Sequence, residues 1–125
     1  MKDKKKILII DDDERNIFAL SAVMRAKGFS LLSAMNGEAG IKALEENPTI
    51  DIVLMDIMMP VMDGYRAMEL IRKNEKLNHI PIIALTANAM PSDKEKCLRA
   101  GATDYLSKPV NVDSLIEKIE GCLKK

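Results

Sequence analysis

The chain has 125 residues, 47% of them hydrophobic, and its 19 basic and 19 acidic side chains give zero formal net charge. This length predicts one domain, spanning 1–125 with its core at about 6–123, and the apolar content is too high for a disordered chain. The charge balance argues against direct nucleic-acid binding, which normally requires a basic excess. Two cysteines and one histidine form no zinc or disulfide pattern, and no apolar run suits a membrane span. We therefore expect a cytoplasmic protein without membrane contact.

Strand and helix patterns alternate along the chain. Aliphatic runs predict strands, in chain order, at 6–10, 29–33, 50–55, 80–85 and 102–106. Helical spacing and capping residues predict helices at 14–27, 38–46, 65–74, 91–99 and, from a cap at Asn111 or Asp113, to about 123. Strands that alternate with helices form a parallel sheet covered on both faces. The pattern predicts an α/β fold, a doubly wound (βα)5 domain.

Polar residues follow the predicted strands at the points where those strands end. Asp11 and Asp12 follow the first strand, Asp56 the third, Thr86 the fourth and Lys108 the fifth. The carboxyl ends of the strands in an open α/β sheet share one edge, where ligands bind. We therefore expect these side chains to meet at one site.

The chemistry of these residues suits a divalent cation and a phosphoryl group. Three crowded carboxylates repel one another, and a hard cation with oxygen ligands, usually Mg²⁺, relieves that repulsion. Asp56 can act as a nucleophile in phosphoryl transfer, while Lys108 supplies a compensating positive charge. Taken alone, Asp11 and Asp12 are as compatible with helix capping as with metal binding, and Asp13 is better explained as a cap.

Four segments of the sequence resemble response regulator receiver domains of two-component signalling. They are IIDDD at 9–13, MDIMMPVMDG at 55–64, IALTA at 83–87 and GATDYLSKP at 101–109. The resemblance covers nearly the whole chain, from about residue 6 to about 123. It implies a flavodoxin-like five-stranded sheet of order 2-1-3-4-5. Because the five strand-helix units leave no residues for a second domain, we expect no output domain.

The resemblance also implies roles for individual residues. The phosphoacceptor would be Asp56. A Mg²⁺ ion, or Mn²⁺ in its place, would be held by Asp11, Asp12, Asp56 and the backbone carbonyl of Met58. The remaining roles are phosphoryl binding by Thr86, Ala87 and Lys108, switching by Thr86 and Tyr105, and tuning of dephosphorylation by Met58 and Asn88. A cis Lys108–Pro109 bond is a further expectation.

These roles predict a signalling switch whose only enzymatic property is slow self-dephosphorylation. A sensor histidine kinase or a histidine phosphotransfer protein would phosphorylate Asp56, and the fourth helix, fifth strand and fifth helix (about 91–123) would then control an unknown output protein. We expect a monomer or a weak, phosphorylation-dependent dimer. The sequence does not distinguish a stand-alone regulator from a domain of a hybrid histidine kinase.

Two other functions remain open from the sequence. Asp11-x-Asp13 resembles the first motif of haloacid-dehalogenase-type phosphohydrolases, but that function gives Asp56 no purpose and no later Asp-Asp pair follows. A pseudo-receiver that serves as a constitutive scaffold is the third interpretation, which the complete motif set disfavours.

Overall fold

The computed structural model describes residues 4–59, 62–87 and 90–123. Within these residues, five strands alternate with five helices. The strands are β1 (Lys6–Ile10), β2 (Ser30–Ala34), β3 (Ile52–Asp56), β4 (Ile82–Thr86) and β5 (Asp104–Ser107). The helices are α1 (Glu14–Ala26), α2 (Gly37–Glu46), α3 (Gly64–Lys73), α4 (Pro91–Ala100) and α5 (Val112–Leu123).

The strands form a parallel sheet in the order β2-β1-β3-β4-β5, which confirms the expected topology. β1 lies between β2 and β3 in the sheet. The chain goes from β1 to β2 on one side and then crosses through α2 to β3 on the other side, so the strand order reverses at β1. Ligands bind at such a switch point, outside the carboxyl ends of the strands. The topology therefore brings the ends of β1 and β3 together at the predicted site.

Helices cover both faces of the sheet, and each face has its own apolar cluster. Alternate side chains of the central strands point to opposite faces, so Val53 and Met55 contact one cluster while Ile52 and Leu54 contact the other. The first cluster includes residues of α2, α3 and α4, and the second includes residues of α1 and α5. Every residue of β3 and β4 is buried.

No helix in the described ranges combines the length and apolar character that a membrane crossing requires.

β1 has the predicted bounds, whereas the other four strands were predicted to begin and end one to two residues too early, and this correction matters for the site. Asp56 and Thr86 are the last residues of β3 and β4 rather than the first residues after them. Asp56 pairs in register with Leu85, and the Ile57 N–H donates to the Leu85 carbonyl at 3.1 Å. Pairing with β4 therefore holds the backbone at Asp56 in place.

Capping residues fix the start of the first and last helices. Asp13 is the N-cap of α1, where its carboxylate accepts the Arg15 N–H at 3.0 Å, as predicted. At α5, the Asn111 side chain accepts the Ser114 N–H at 3.0 Å, so the cap of this helix is Asn111 and not Asp113.

The Lys108–Pro109 bond is cis, as the resemblance implied.

Candidate functional site

Three carboxylates meet where β1 and β3 end. Asp11 and Asp12 follow β1, Asp56 ends β3, and one carboxylate oxygen from each lies within 4.8 Å of the other two. Asp11 and Asp56 are only 1% and 2% exposed, whereas Asp12 faces solvent. The structure thus brings together the three residues that the sequence placed at one edge.

The Asp56 carboxylate is held by one of its oxygens. Oδ1 accepts the Lys108 ammonium at 2.8 Å and the Met58 N–H at 3.4 Å, while Oδ2 accepts no hydrogen bond from the described residues. Burial raises the pKa of Asp56 above its ordinary value, and the hydrogen bond from Lys108 opposes that rise. The charge of Asp11 raises the pKa of Asp56 further. One lysine therefore only partly compensates the buried negative charge.

Asp11 is oriented by the start of α1. Its Oδ1 accepts the Asp13 N–H at 2.9 Å, and its Oδ2 accepts the Asn16 side-chain amide at 2.6 Å. Asn16 was not singled out from the sequence. Its only sequence signal is its place in the first turn of the helix that follows the aspartates.

The donor set fits a hard divalent cation. Mg²⁺ prefers oxygen ligands and retains several waters, and Asp11, Asp12 and Asp56 offer carboxylate oxygens beside an exposed opening. No cysteine or histidine joins this acidic group in the described part of the chain, so softer metals are disfavoured. Met58 directs its N–H to Asp56 and leaves its side chain 71% exposed. The metal-binding role of its carbonyl stays a prediction.

Thr86 and Tyr105 are neighbours on one face of the sheet. Thr86 is 4% exposed, and its carbonyl accepts the Lys108 N–H at 2.7 Å. Tyr105 pairs in register with Ala84, two residues before Thr86, so the two side chains are diagonal neighbours across β4 and β5. Ala87 follows in an exposed position, and Asn88 lies outside the described residues. The relative placement suits the predicted switch pair.

Gly64 is a structural requirement of the site that the sequence did not reveal as such. It begins α3, and a Cβ at this position would lie 2.5 Å from the Asp56 carbonyl oxygen and 2.8 Å from the Ile57 Cα. The Gly64 N–H donates to the Ile57 carbonyl at 3.0 Å. The missing side chain therefore allows α3 to approach the backbone that carries Asp56. In the sequence, the Asp63-Gly64 dipeptide by itself indicates only a turn.

Sequence comparisons agree with this geometry. Residues 7–120 match the response regulator receiver domain family. The chain is 38% identical over 119 residues to the protein PilH of Pseudomonas aeruginosa, covering 94% of this chain and 97% of PilH. It is 36% identical over 117 residues to the sensor histidine kinase GacS of Pseudomonas protegens. That alignment covers 91% of this chain and only 13% of GacS.

Two solved structures share the fold. The receiver domain of sensor histidine kinase PA1611 from Pseudomonas aeruginosa, which has a magnesium ion in its active-site cleft, matches with 35% identity and a TM-score of 0.84. The match covers 98% of this chain and all of that one. The Saccharomyces cerevisiae Ssk1 receiver domain, in complex with the phosphotransfer protein Ypd1, matches with 33% identity and a TM-score of 0.88. This match covers 96% of this chain and 89% of the other. The chain therefore belongs to the response regulator receiver domain family, whose members are phosphoacceptor signalling switches rather than classical enzymes.

Proposed function

We propose that Asp56 is the phosphoacceptor and that it receives its phosphoryl group from a phosphohistidine. The main support for this proposal is the buried Asp56 carboxylate, whose Oδ1 accepts a hydrogen bond from Lys108. Its Oδ2 accepts no hydrogen bond from residues 4–59, 62–87 and 90–123. A carboxylate oxygen forms the new P–O bond as the P–N bond breaks. The departing imidazole nitrogen keeps the electron pair and takes a proton.

Residues around Asp56 stabilise the transferred group. Lys108, already 2.8 Å from Asp56, can move its hydrogen bond to a phosphoryl oxygen without leaving the site. The Thr86 hydroxyl and the Ala87 N–H are the further donors that we assign to the phosphoryl group. Mg²⁺ bound by Asp11, Asp12, Asp56 and the Met58 carbonyl would neutralise negative charge on the phosphoryl oxygens. Mn²⁺, also an oxygen-binding ion, would support the same transfer.

We assign the switch to Thr86 and Tyr105. The Tyr105 ring is half-buried, with the Lys94 and Lys118 ammonium groups 5.5 and 5.9 Å from its centroid. Lys94 belongs to α4 and Lys118 to α5, so an inward turn of the ring would break contacts to both helices. A phosphoryl group that draws the Thr86 hydroxyl toward itself would vacate the space for that turn. The surface of α4, β5 and α5 would then change its side-chain arrangement.

The partners follow from the family and its relatives. A sensor histidine kinase, as GacS is, or a phosphotransfer protein, as Ypd1 is for Ssk1, is the donor that we propose. The output protein would bind the surface of α4, β5 and α5. We further propose that this receiver domain is cytoplasmic, and that it is a monomer or a weak dimer when phosphorylated. Its phosphate would be lost by slow self-hydrolysis at a rate tuned by Met58 and Asn88.

Transfer from a radiolabelled phosphotransfer protein in the presence of Mg²⁺ tests the proposal. Wild type should retain the label, and Asp56→Asn should not. The matched control is Asp104→Asn, which also changes a carboxylate that is paired with a lysine, here Lys118 at 3.3 Å. That control should be labelled normally. Label on the Asp56→Asn variant, or continuous phosphate release that depends on Asp11, would contradict the proposal and favour a hydrolase.

The proposed output surface has a separate test. Tyr105→Ala should weaken binding of the phosphorylated protein to its output partner without preventing phosphorylation. His79→Ala, an exposed position in the loop before β4, is the control and should leave binding unchanged. Unaltered partner binding by Tyr105→Ala would show that the assigned surface is wrong.

A further inference from the structure

Among the described residues, Asn16 makes the shortest side-chain hydrogen bond to the acidic cluster of Asp11, Asp12 and Asp56. Its amide nitrogen lies 2.6 Å from Asp11 Oδ2, and the side chain is half-buried at the first turn of α1. The other Asp11 oxygen accepts the Asp13 N–H at 2.9 Å. Both oxygens of this buried carboxylate are therefore engaged, each by a donor from the start of the same helix.

The charge of Asp11 has no cationic partner of its own within the described ranges. Lys108 pairs with Asp56 at 2.8 Å, and none of the ion pairs among these residues includes Asp11. A buried carboxylate without a cation is costly unless polar donors bind it. The amide of Asn16 and the N–H of Asp13 supply those donors.

We propose that Asn16 is a positioning residue that orients the Asp11 carboxylate for Mg²⁺ and thereby sets the Mg²⁺ affinity. Asp11 cannot rotate about its Cβ–Cγ bond without breaking one of its two hydrogen bonds, and in this orientation it lies within 4.8 Å of Asp12 and Asp56. Partners that hold a metal-binding side chain from behind typically change metal affinity 10- to 100-fold when they are lost. The inference rests on the proposed Mg²⁺ site and assigns to it a residue outside the metal's own ligand set.

Direct Mg²⁺ titration, followed by calorimetry and by amide NMR shifts of the acidic cluster, tests this role without any phosphorylation. Asn16→Leu keeps the approximate shape and removes both amide donors, and it should raise the Mg²⁺ dissociation constant about 10- to 100-fold. Asn16→Ala carries the same expectation if the leucine variant does not fold. Asn16→Gln restores an amide on a longer stem and should recover most of the lost affinity.

Asn36→Ala is the matched control, because Asn36 caps α2 through the Ala39 N–H at 2.8 Å and lies outside the acidic cluster. It should lower the urea midpoint and leave the Mg²⁺ affinity unchanged. Wild-type affinity in a folded Asn16→Leu protein would overturn the role of Asn16 alone. An equal loss in Asn36→Ala would overturn it too, by showing that affinity follows stability. Failure of wild type to bind Mg²⁺ would overturn both this role and the proposed metal site.

Discussion

Replacing Asp56 with asparagine is expected to stabilise the metal-free protein, although it removes the group proposed to carry the function. The carboxylate is buried close to Asp11 and Asp12, and Lys108 is its one cationic partner among the described residues. Asparagine has nearly the same shape, and its oxygen can still accept hydrogen bonds from Lys108 and the Met58 N–H. The substitution therefore removes mainly the charge.

The distances give the size of the effect. At the 4.8 Å limit, each like-charge pair costs roughly 3.5 kcal/mol with an effective dielectric constant of about 20, less for the exposed Asp12. With the same dielectric constant, the attraction between Lys108 and Asp56 at 2.8 Å contributes roughly 6 kcal/mol of stabilisation. Solvent screening lowers this contribution, because the Lys108 side chain is 32% exposed. These contributions nearly cancel and leave the desolvation of the carboxylate uncompensated. We expect Asp56→Asn to raise the free energy of unfolding by about 1–3 kcal/mol.

The difference in unfolding free energy between Asp56→Asn and wild type should also depend on pH, because burial raises the pKa of Asp56 above its ordinary value of 3.8. A raised pKa means that folding favours the protonated carboxyl. The contribution of Asp56 protonation to wild-type stability is therefore fully present below pH 3.8 and is lost as pH rises through the folded-state pKa. The advantage of asparagine should therefore grow from pH 4 toward pH 7.

Urea unfolding at several pH values, with a chelator present, measures the effect as a shift of midpoint at constant slope. Added Mg²⁺ should narrow the difference, because it stabilises wild type more than the variant. Asp104→Asn, which breaks a more exposed pair with Lys118, should change stability by less than about 1 kcal/mol. An Asp56→Asn protein that is no more stable than wild type, or an advantage independent of pH, would refute this electrostatic reasoning.

Three further predictions concern packing and the switch. Arg72→Lys should lower the unfolding free energy by about 1–3 kcal/mol, because the guanidinium donates to three backbone carbonyls that one ammonium cannot reach together; an unchanged urea midpoint would contradict this. Gly64→Ala should cost about 1–3 kcal/mol, measured likewise, since its Cβ would meet the Asp56 carbonyl oxygen at 2.5 Å; a neutral effect would mean that α3 shifts freely. Lys94→Gln should tighten beryllofluoride binding about two- to fivefold by removing a cation–π contact that holds Tyr105 outward; weaker binding would exclude that role.

The element order and the acidic cluster were predictable because both follow from short-range patterns. Continuous apolar runs such as 7–10 and 52–55 indicate strands that are buried on both faces, and the structure buries them fully. Parallel strands place their carboxyl ends at one edge, which brought Asp11 and Asp56 together without knowledge of any distance. The strand order was different: the pattern alone left several topologies, and the order came from the family resemblance.

Contacts that join distant segments could not be predicted in the same way. Arg72 on α3 bonds to the Gly101 carbonyl, 29 residues later, through a side-chain path that no periodicity encodes. The contact from Asn16 to Asp11 depends on the backbone geometry of the α1 cap, and Gly64 matters because α3 approaches the end of β3. The strand ends shifted for a related reason, since pairing with Leu85 extends β3 through Asp56. Partner backbones, rather than local composition, determine these features.

Chemical mapping of the phosphoryl bond tests the central claim most directly. The protein is phosphorylated in the presence of Mg²⁺, an acyl phosphate is reduced with borohydride, and tandem mass spectrometry locates the homoserine that replaces the modified aspartate. The account predicts homoserine at position 56 and unmodified Asp11, Asp12 and Asp13. Homoserine at any of those three positions, or a fully phosphorylated protein without homoserine at position 56, would contradict it.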